Sequence, residues 1–165
     1  RLVMDPSCNV DGIVAGYTGA GAKTITPSVA RVKLDFRLVP DQDPDSVLAS
    51  LRAHLIEHGF SDIKLKVFSS VRPARTPIGH PFVKVVADSA RQVYGGEPYL
   101  QPNSPGTGPQ YTIQQLLGVP VASSVIDYPG NRMNAPNDNI RRDLFRLGVL
   151  HAAELLEKLG QDKGR

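Results

Sequence analysis

The chemistry this chain could do begins with its four histidines, His54, His58, His80 and His151. His54 and His58 stand four apart with Glu57 between them, spelling H-x-x-E-H, the inverted form of a zinc-peptidase helix motif. Side chains at i and i+4 share one face of a helix, so this spacing would let both imidazoles reach one metal ion. A plainer reading competes and is the stronger one. Both histidines flank the apolar stripe in the last turns of a helix, where a His interacts well with the helix dipole, and the motif needs a third ligand from a neighbouring element. His80 precedes Pro81 at a helix start and His151 lies within a terminal helix, so both are read as structural or solvated. The single Cys8 excludes an internal disulfide and suits a reducing compartment. With no His near it in sequence, it is not expected to be a nucleophile. There is no G-x-S-x-G elbow and no P-loop, and Gly19-Ala20-Gly21 lacks the third glycine of a dinucleotide fingerprint, which makes it a turn.

The elements that must carry these residues fall into two halves, divided near Ser69 to Pro77. In the first half Ile13 to Tyr17 is a strand candidate. Ser28 to Val39 alternates, with Val32, Leu34, Phe36 and Leu38 on one face and Arg31, Lys33, Asp35 and Arg37 on the other, the pattern of a strand with one buried face. Asp43-Pro44 opens a helix as cap and first position. Val47, Leu48, Leu51 and Leu55 form its stripe, and Gly59 ends it. A strand through Ile63, Leu65 and Val67 follows. The order strand, strand, helix, strand resembles a ferredoxin-like unit lacking its first strand and helix. In the second half a helix is predicted over 81–94, ended by Gly95-Gly96, and a short strand over 99–101. A Gly- and Pro-rich loop over 103–109 and a short helix over 111–117 come next. A buried strand of the parallel type over 119–126, a loop over 127–139 and a long helix over about 140–159 complete the chain. The fold class read from this is α/β: a partial ferredoxin-like α+β lid followed by part of an open α/β sheet, whose polar loops would fall at strand ends where ligands bind.

Composition narrows the function classes. Of 165 residues 41% are hydrophobic and 21% charged, which is globular rather than disordered. No run approaches the roughly 18 apolar residues of a membrane span. The net charge of +3 comes from Lys and Arg scattered without clusters or interleaved aromatics, so neither a nucleic-acid nor a membrane partner is expected. The opening Arg1-Leu2-Val3-Met4-Asp5-Pro6 has no apolar signal region and reads like the interior of a protein. The expectation is the C-terminal portion of a larger cytoplasmic enzyme.

Several stretches carry a family resemblance: Asn9-Val10-Asp11-Gly12-Ile13, Gly16 to Pro27, and Asp35-Phe36-Arg37-Leu38-Val39-Pro40 in the first half, then Ser104 to Pro109 and Asn134-Ala135-Pro136-Asn137-Asp138-Asn139 in the second. Together, in order and spacing over nearly the whole chain, they resemble the M20 metallopeptidases, a family of dipeptidases, carboxypeptidases, aminoacylases and deacylases. The resemblance implies a catalytic α/β domain with two zinc ions and a ferredoxin-like lid that forms a homodimer. Residues 1–71 would be the C-terminal part of the lid and 72–165 the C-terminal part of the catalytic domain. Most metal ligands and the acidic general base would lie in sequence not present here, so the isolated chain is expected to be inactive and to bind no zinc alone. A lid helix is also not where the family binds zinc, which counts against His54 and His58.

The resemblance carries three positions over to binding a small peptide or N-acyl-amino-acid substrate. Arg37 and Thr24 resemble lid residues that meet the substrate carboxylate or the developing oxyanion, a task suited to the planar fork of arginine. Thr107 resembles a loop donor at the substrate carboxylate. Each has a plain alternative: Arg37 paired with Asp35, Thr24 an ordinary strand threonine, Thr107 part of a purely conformational loop. The family pattern His-Ala-Pro-Asn-Glu, whose His is a zinc ligand, reads here Asn134-Ala135-Pro136-Asn137-Asp138. A carboxamide oxygen is a poor zinc ligand beside an imidazole. Asn134 therefore favours a second class of function, a non-catalytic dimerisation or ligand-binding module derived from such enzymes.

Overall fold

The helices follow from local chemistry. In the computed structural model, which describes residues 4–104 and 106–161, α1 spans Pro44–Glu57. One carboxylate oxygen of Asp43 accepts from the Ser46 amide at 3.1 Å, and the other lies 2.5 Å from the Arg72 guanidinium. The cap thus satisfies a free helix donor and also ties the segment after the helix to its start. At the far end the Phe60 amide donates to Leu55 O and the Gly59 amide to Ile56 O. This paired closure needs a left-handed residue, and Gly59 supplies it at φ +83°.

The second helix, α2 (Pro81–Tyr94), starts on His80, whose Nδ1 accepts from the Phe82 amide at 3.1 Å, and ends at left-handed Gly95. The helices α3 (Gln110–Leu117) and α4 (Arg142–Gln161) lie close to their predicted ranges.

Two strands pair: β1 (Ser7–Ala15) runs antiparallel to β2 (Ala30–Arg37). The register sets Cys8 against Phe36 and Val10 against Leu34, then shifts so that Ile13 faces Val32. Asp11 is the extra residue of a bulge, which keeps Cys8, Val10, Ile13 and Ala15 on one face of β1 although they do not alternate in sequence, and leaves Val14 on the other. The class is α/β as expected, but the sheet is smaller than the pattern suggests. Residues 63–67, 99–101 and 119–126 form no ladder among the described residues. A strand exists only when a neighbour takes up its N–H and C=O groups, and here Val121 N donates instead to Thr76 Oγ1 at 2.9 Å. The face of β2 expected to be buried is also open, with Val32 54% and Leu34 41% exposed.

Packing divides the chain into two units. The first comprises residues 1–74 with 103–111, the second 75–102 with 112–165. In the second, α2 packs on α4, burying Ala87, Ser89 and His151. The α4 residues turned inward, Leu144, Leu147, Gly148, His151 and Leu155, recur every three or four positions, as one face of a helix must. Gly148 lets the chain approach closely: a Cβ there would stand 2.4 Å from Ile126 Cγ2.

Candidate functional site

Arg37 ends β2, on the charged face of the strand. Its Nε donates to Asp35 Oδ2 at 2.6 Å, the pairing expected of neighbours on one strand face. The same guanidinium also reaches across 70 positions of sequence, with its other end 3.4 Å from Thr107 Oγ1. Two of the three residues carried over by resemblance therefore meet within one unit. Asp35 anchors one edge of the planar fork and turns the opposite edge toward the loop hydroxyl. Both side chains are exposed. A cationic fork beside a hydroxyl suits a carboxylate, which can accept from both at once.

Thr24 is placed differently. It lies exposed in the irregular chain between β1 and β2 rather than in a strand. Thr107 sits in a loop where the Gly106 amide donates to Ser104 Oγ at 3.2 Å.

Asn134 belongs to the second unit, in a loop braced by its own polar groups. Its amide donates to Asp138 Oδ2 at 3.1 Å. Asn131 donates to Asp127 Oδ1 and accepts from the Met133 amide, and Asn139 bonds the carbonyls of Asn131 and Asn137. Tyr128 donates to Asn139 and lies under the Arg141 guanidinium. Arg132, Asn134 and Asn137 all take left-handed backbone, at φ 55°, 61° and 66°. Asparagine accepts that conformation more readily than most other non-glycine residues, so Asn134 suits its backbone.

A buried polar cluster escaped sequence reasoning. His151 Nδ1 lies 3.0 Å from Ser124 Oγ, its Nε2 faces Val86 O at 3.4 Å, and the Tyr94 ring meets it edge-on. His151 is therefore structural, one of the two outcomes expected for it. Thr76 Oγ1, accepting from Gln114 Nε2 and Val121 N, is a second such hub. No spacing rule could have found either, because the partners come from separate segments.

Around Arg91 and Arg141 the surface is strongly paired. Hydrogen bonds from Lys84 and Arg91 hold the Asp88 carboxyl below the usual carboxylate range, Arg91 does the same to Glu97, and Arg141 to Asp143. These are ordinary surface ion pairs.

Comparison with known proteins gives the geometry its context. Residues 1–62 match the peptidase dimerisation domain of the M20 peptidases. Over 104 residues, 56% of this chain and 20% of the relative, the sequence is 27% identical to the Cys-Gly metallodipeptidase DUG1 of Saccharomyces cerevisiae. The structure is similar to that of the M20 family metallo-carboxypeptidase Sso-CP2 from Sulfolobus solfataricus, with a TM-score of 0.81 and 42% identity over 94% of this chain and 36% of that one. Two further structures share the fold. One is the dipeptidase Dug1p from Saccharomyces cerevisiae (TM-score 0.79, 18% identity, 94% and 33% covered), the other human carnosine dipeptidase 1 (0.72, 24%, 94% and 34%). The chain spans only 20% of the curated relative's length and 33–36% of the solved chains. The relatives named as metallo-enzymes raise the question of a metal here. Among the described residues no group of three or more His, Cys, Asp or Glu could hold one, and Asn134 offers only a carboxamide, so these residues do not fit a hydrolytic metal centre. Family match over residues 1–62, sequence identity and shared fold agree in likening this chain to the M20 peptidases.

Proposed function

We propose that this chain supplies the substrate-holding surface of a hydrolase that cleaves peptide or N-acyl-amino-acid amide bonds. The observation that carries the reading is the Arg37 guanidinium set between Asp35 and Thr107, in a chain 42% identical to an M20 metallo-carboxypeptidase. In this reading residues 1–71 act as the lid, 72–165 belong to the catalytic domain, and pairing through residues 1–62 makes a cytoplasmic homodimer. Arg37 and Thr107 receive the free carboxylate of the substrate, and Thr24 joins them from its loop. The hydrolytic metal, two zinc ions, is held by residues other than those described, so no bond-breaking step is assigned to this chain's side chains.

The test uses the full natural polypeptide that contains this sequence. Its hydrolysis of dipeptides and N-acetyl-amino acids is compared with that of the same substrates amidated at the carboxylate, for the parent and for Arg37→Met. Loss of a charge-assisted hydrogen bond costs about 1.5–3 kcal/mol, so Arg37→Met is expected to lower kcat/KM for free-acid substrates by roughly 10- to 150-fold and for amidated ones far less. Equal loss on both would remove the carboxylate role.

Asn134 supports a second reading, a family member that binds or assembles without catalysis. Metal content and turnover of the parent beside Asn134→His separate the two. Turnover by the parent supports the hydrolase, and turnover only after Asn134→His supports the binding module.

A further inference from the structure

We propose that His54 and His58 form a surface chelate for a late divalent transition-metal ion, nickel(II) or copper(II), on the last turns of α1. The two rings already stack, with centroids 4.1 Å apart and planes tilted by 37°. His58 is fixed in the form a ligand needs. Its Nδ1 lies 2.8 Å from His54 O; a carbonyl can only accept, so Nδ1 carries the hydrogen and Nε2 keeps its lone pair. Metal-bound histidines are commonly oriented this way, by donating the other ring N–H to a carbonyl or carboxylate.

The helix supplies the rest of the preorganisation. Spacing of i and i+4 puts both imidazoles on one exposed face, and the closure over Leu55, Ile56, Gly59 and Phe60 holds the terminal turn that carries His58. Metal–nitrogen bonds of about 2 Å place two ligand nitrogens on one ion roughly 3 Å apart, and parting rings stacked at 4.1 Å by about 1 Å meets that need. Only side-chain rotation is required.

The class of ion follows from what else is present. Among the described residues no third His, Cys, Asp or Glu completes a cluster, so water fills the remaining positions. A tetragonal shell of two imidazoles and waters suits copper(II) and nickel(II), whereas zinc favours four tetrahedral ligands. This site is separate from Arg37 and Thr107 and does not depend on any hydrolytic activity.

The experiment titrates the chelator-stripped chain with Ni2+, which does not oxidise the exposed Cys8 thiol, and follows it by calorimetry. Saturable uptake of one ion per chain in the micromolar range is expected. Because the second imidazole binds intramolecularly, His54→Gln or His58→Gln should each weaken uptake roughly 100-fold, while circular dichroism shows α1 retained. His80→Asn, which keeps a capping side chain on α2, should leave uptake unchanged. Affinity that survives both glutamine variants, or no saturable uptake by the parent, would overturn the proposal.

Discussion

Gly148 sits mid-helix, where alanine is ordinarily the better residue by about 1 kcal/mol. Helix propensity alone predicts that Gly148→Ala stabilises the chain. The structure predicts the opposite sign. A Cβ at 148 would stand 2.4 Å from Ile126 Cγ2, while carbon atoms in contact prefer about 3.5–4.0 Å. Ile126 would have to retreat by more than about 1 Å, and its branched side chain has few alternative rotamers. Overpacking of this kind costs about 1–3 kcal/mol, so the net effect is a loss of about 0–2 kcal/mol, centred near 1. For a unit of this size that lowers the thermal midpoint by roughly 4–8 °C per kcal/mol.

The assay is urea and thermal denaturation followed by helical circular dichroism, on Gly148→Ala, Ile126→Ala and the double variant. With the colliding methyl removed, the alanine at 148 should recover its intrinsic advantage, giving a coupling of about 1–3 kcal/mol between the sites. If Gly148→Ala stabilises the parent by the full helix-propensity gain and the two changes are additive, Ile126 does not pack on α4 as described. The consequence reaches past stability, because Ile126 leads directly into the loop that holds Asn134.

Three further outcomes are expected. His151→Ala empties a buried position and strips Ser124 of its partner, lowering stability by about 2–4 kcal/mol in denaturant titration; an unchanged midpoint would show that α2 and α4 do not meet there. Asp43→Ala removes both the α1 cap and the Arg72 pairing, a loss of about 1 kcal/mol, while Asp43→Asn, which can still cap, should lose less. Asp88, Glu97 and Asp143 have carboxyls depressed in the folded chain, so their stabilisation is present above the unfolded values near 4 and is lost as pH falls through the lower folded values. Thermal midpoints should therefore fall on acidification below about pH 4, less steeply in high salt and less steeply in Arg91→Gln. A profile identical in Arg91→Gln would show that the pairs with Asp88 and Glu97 contribute nothing.

What the chain's sequence determined by itself is its helices and their ends. Asp43-Pro44, Gly59, Pro81 and Gly95 act on groups within a few residues, so capping chemistry places α1 and α2 without reference to the rest of the molecule. The loop run Asn134-Ala135-Pro136-Asn137-Asp138 is likewise read from residue types alone. Tertiary structure decided the matters that depend on distant partners. The alternation of Val32, Leu34 and Phe36 specified a strand and its two faces, yet it could not specify a cover, and the face stands open. Apolar runs at 63–67 and 119–126 have the composition of strands, but strandhood is a property of a pair, and among the described residues no ladder forms there. Arg37 could be expected to pair with Asp35 two residues away; only folding brought Thr107 to the other edge of its guanidinium, across 70 positions of chain. The same reason hid the join of His151 to Ser124 and Val86. Short-range hydrogen bonds are written in adjacent residues, whereas contacts between segments exist only once loop-closure entropy has been overcome by packing.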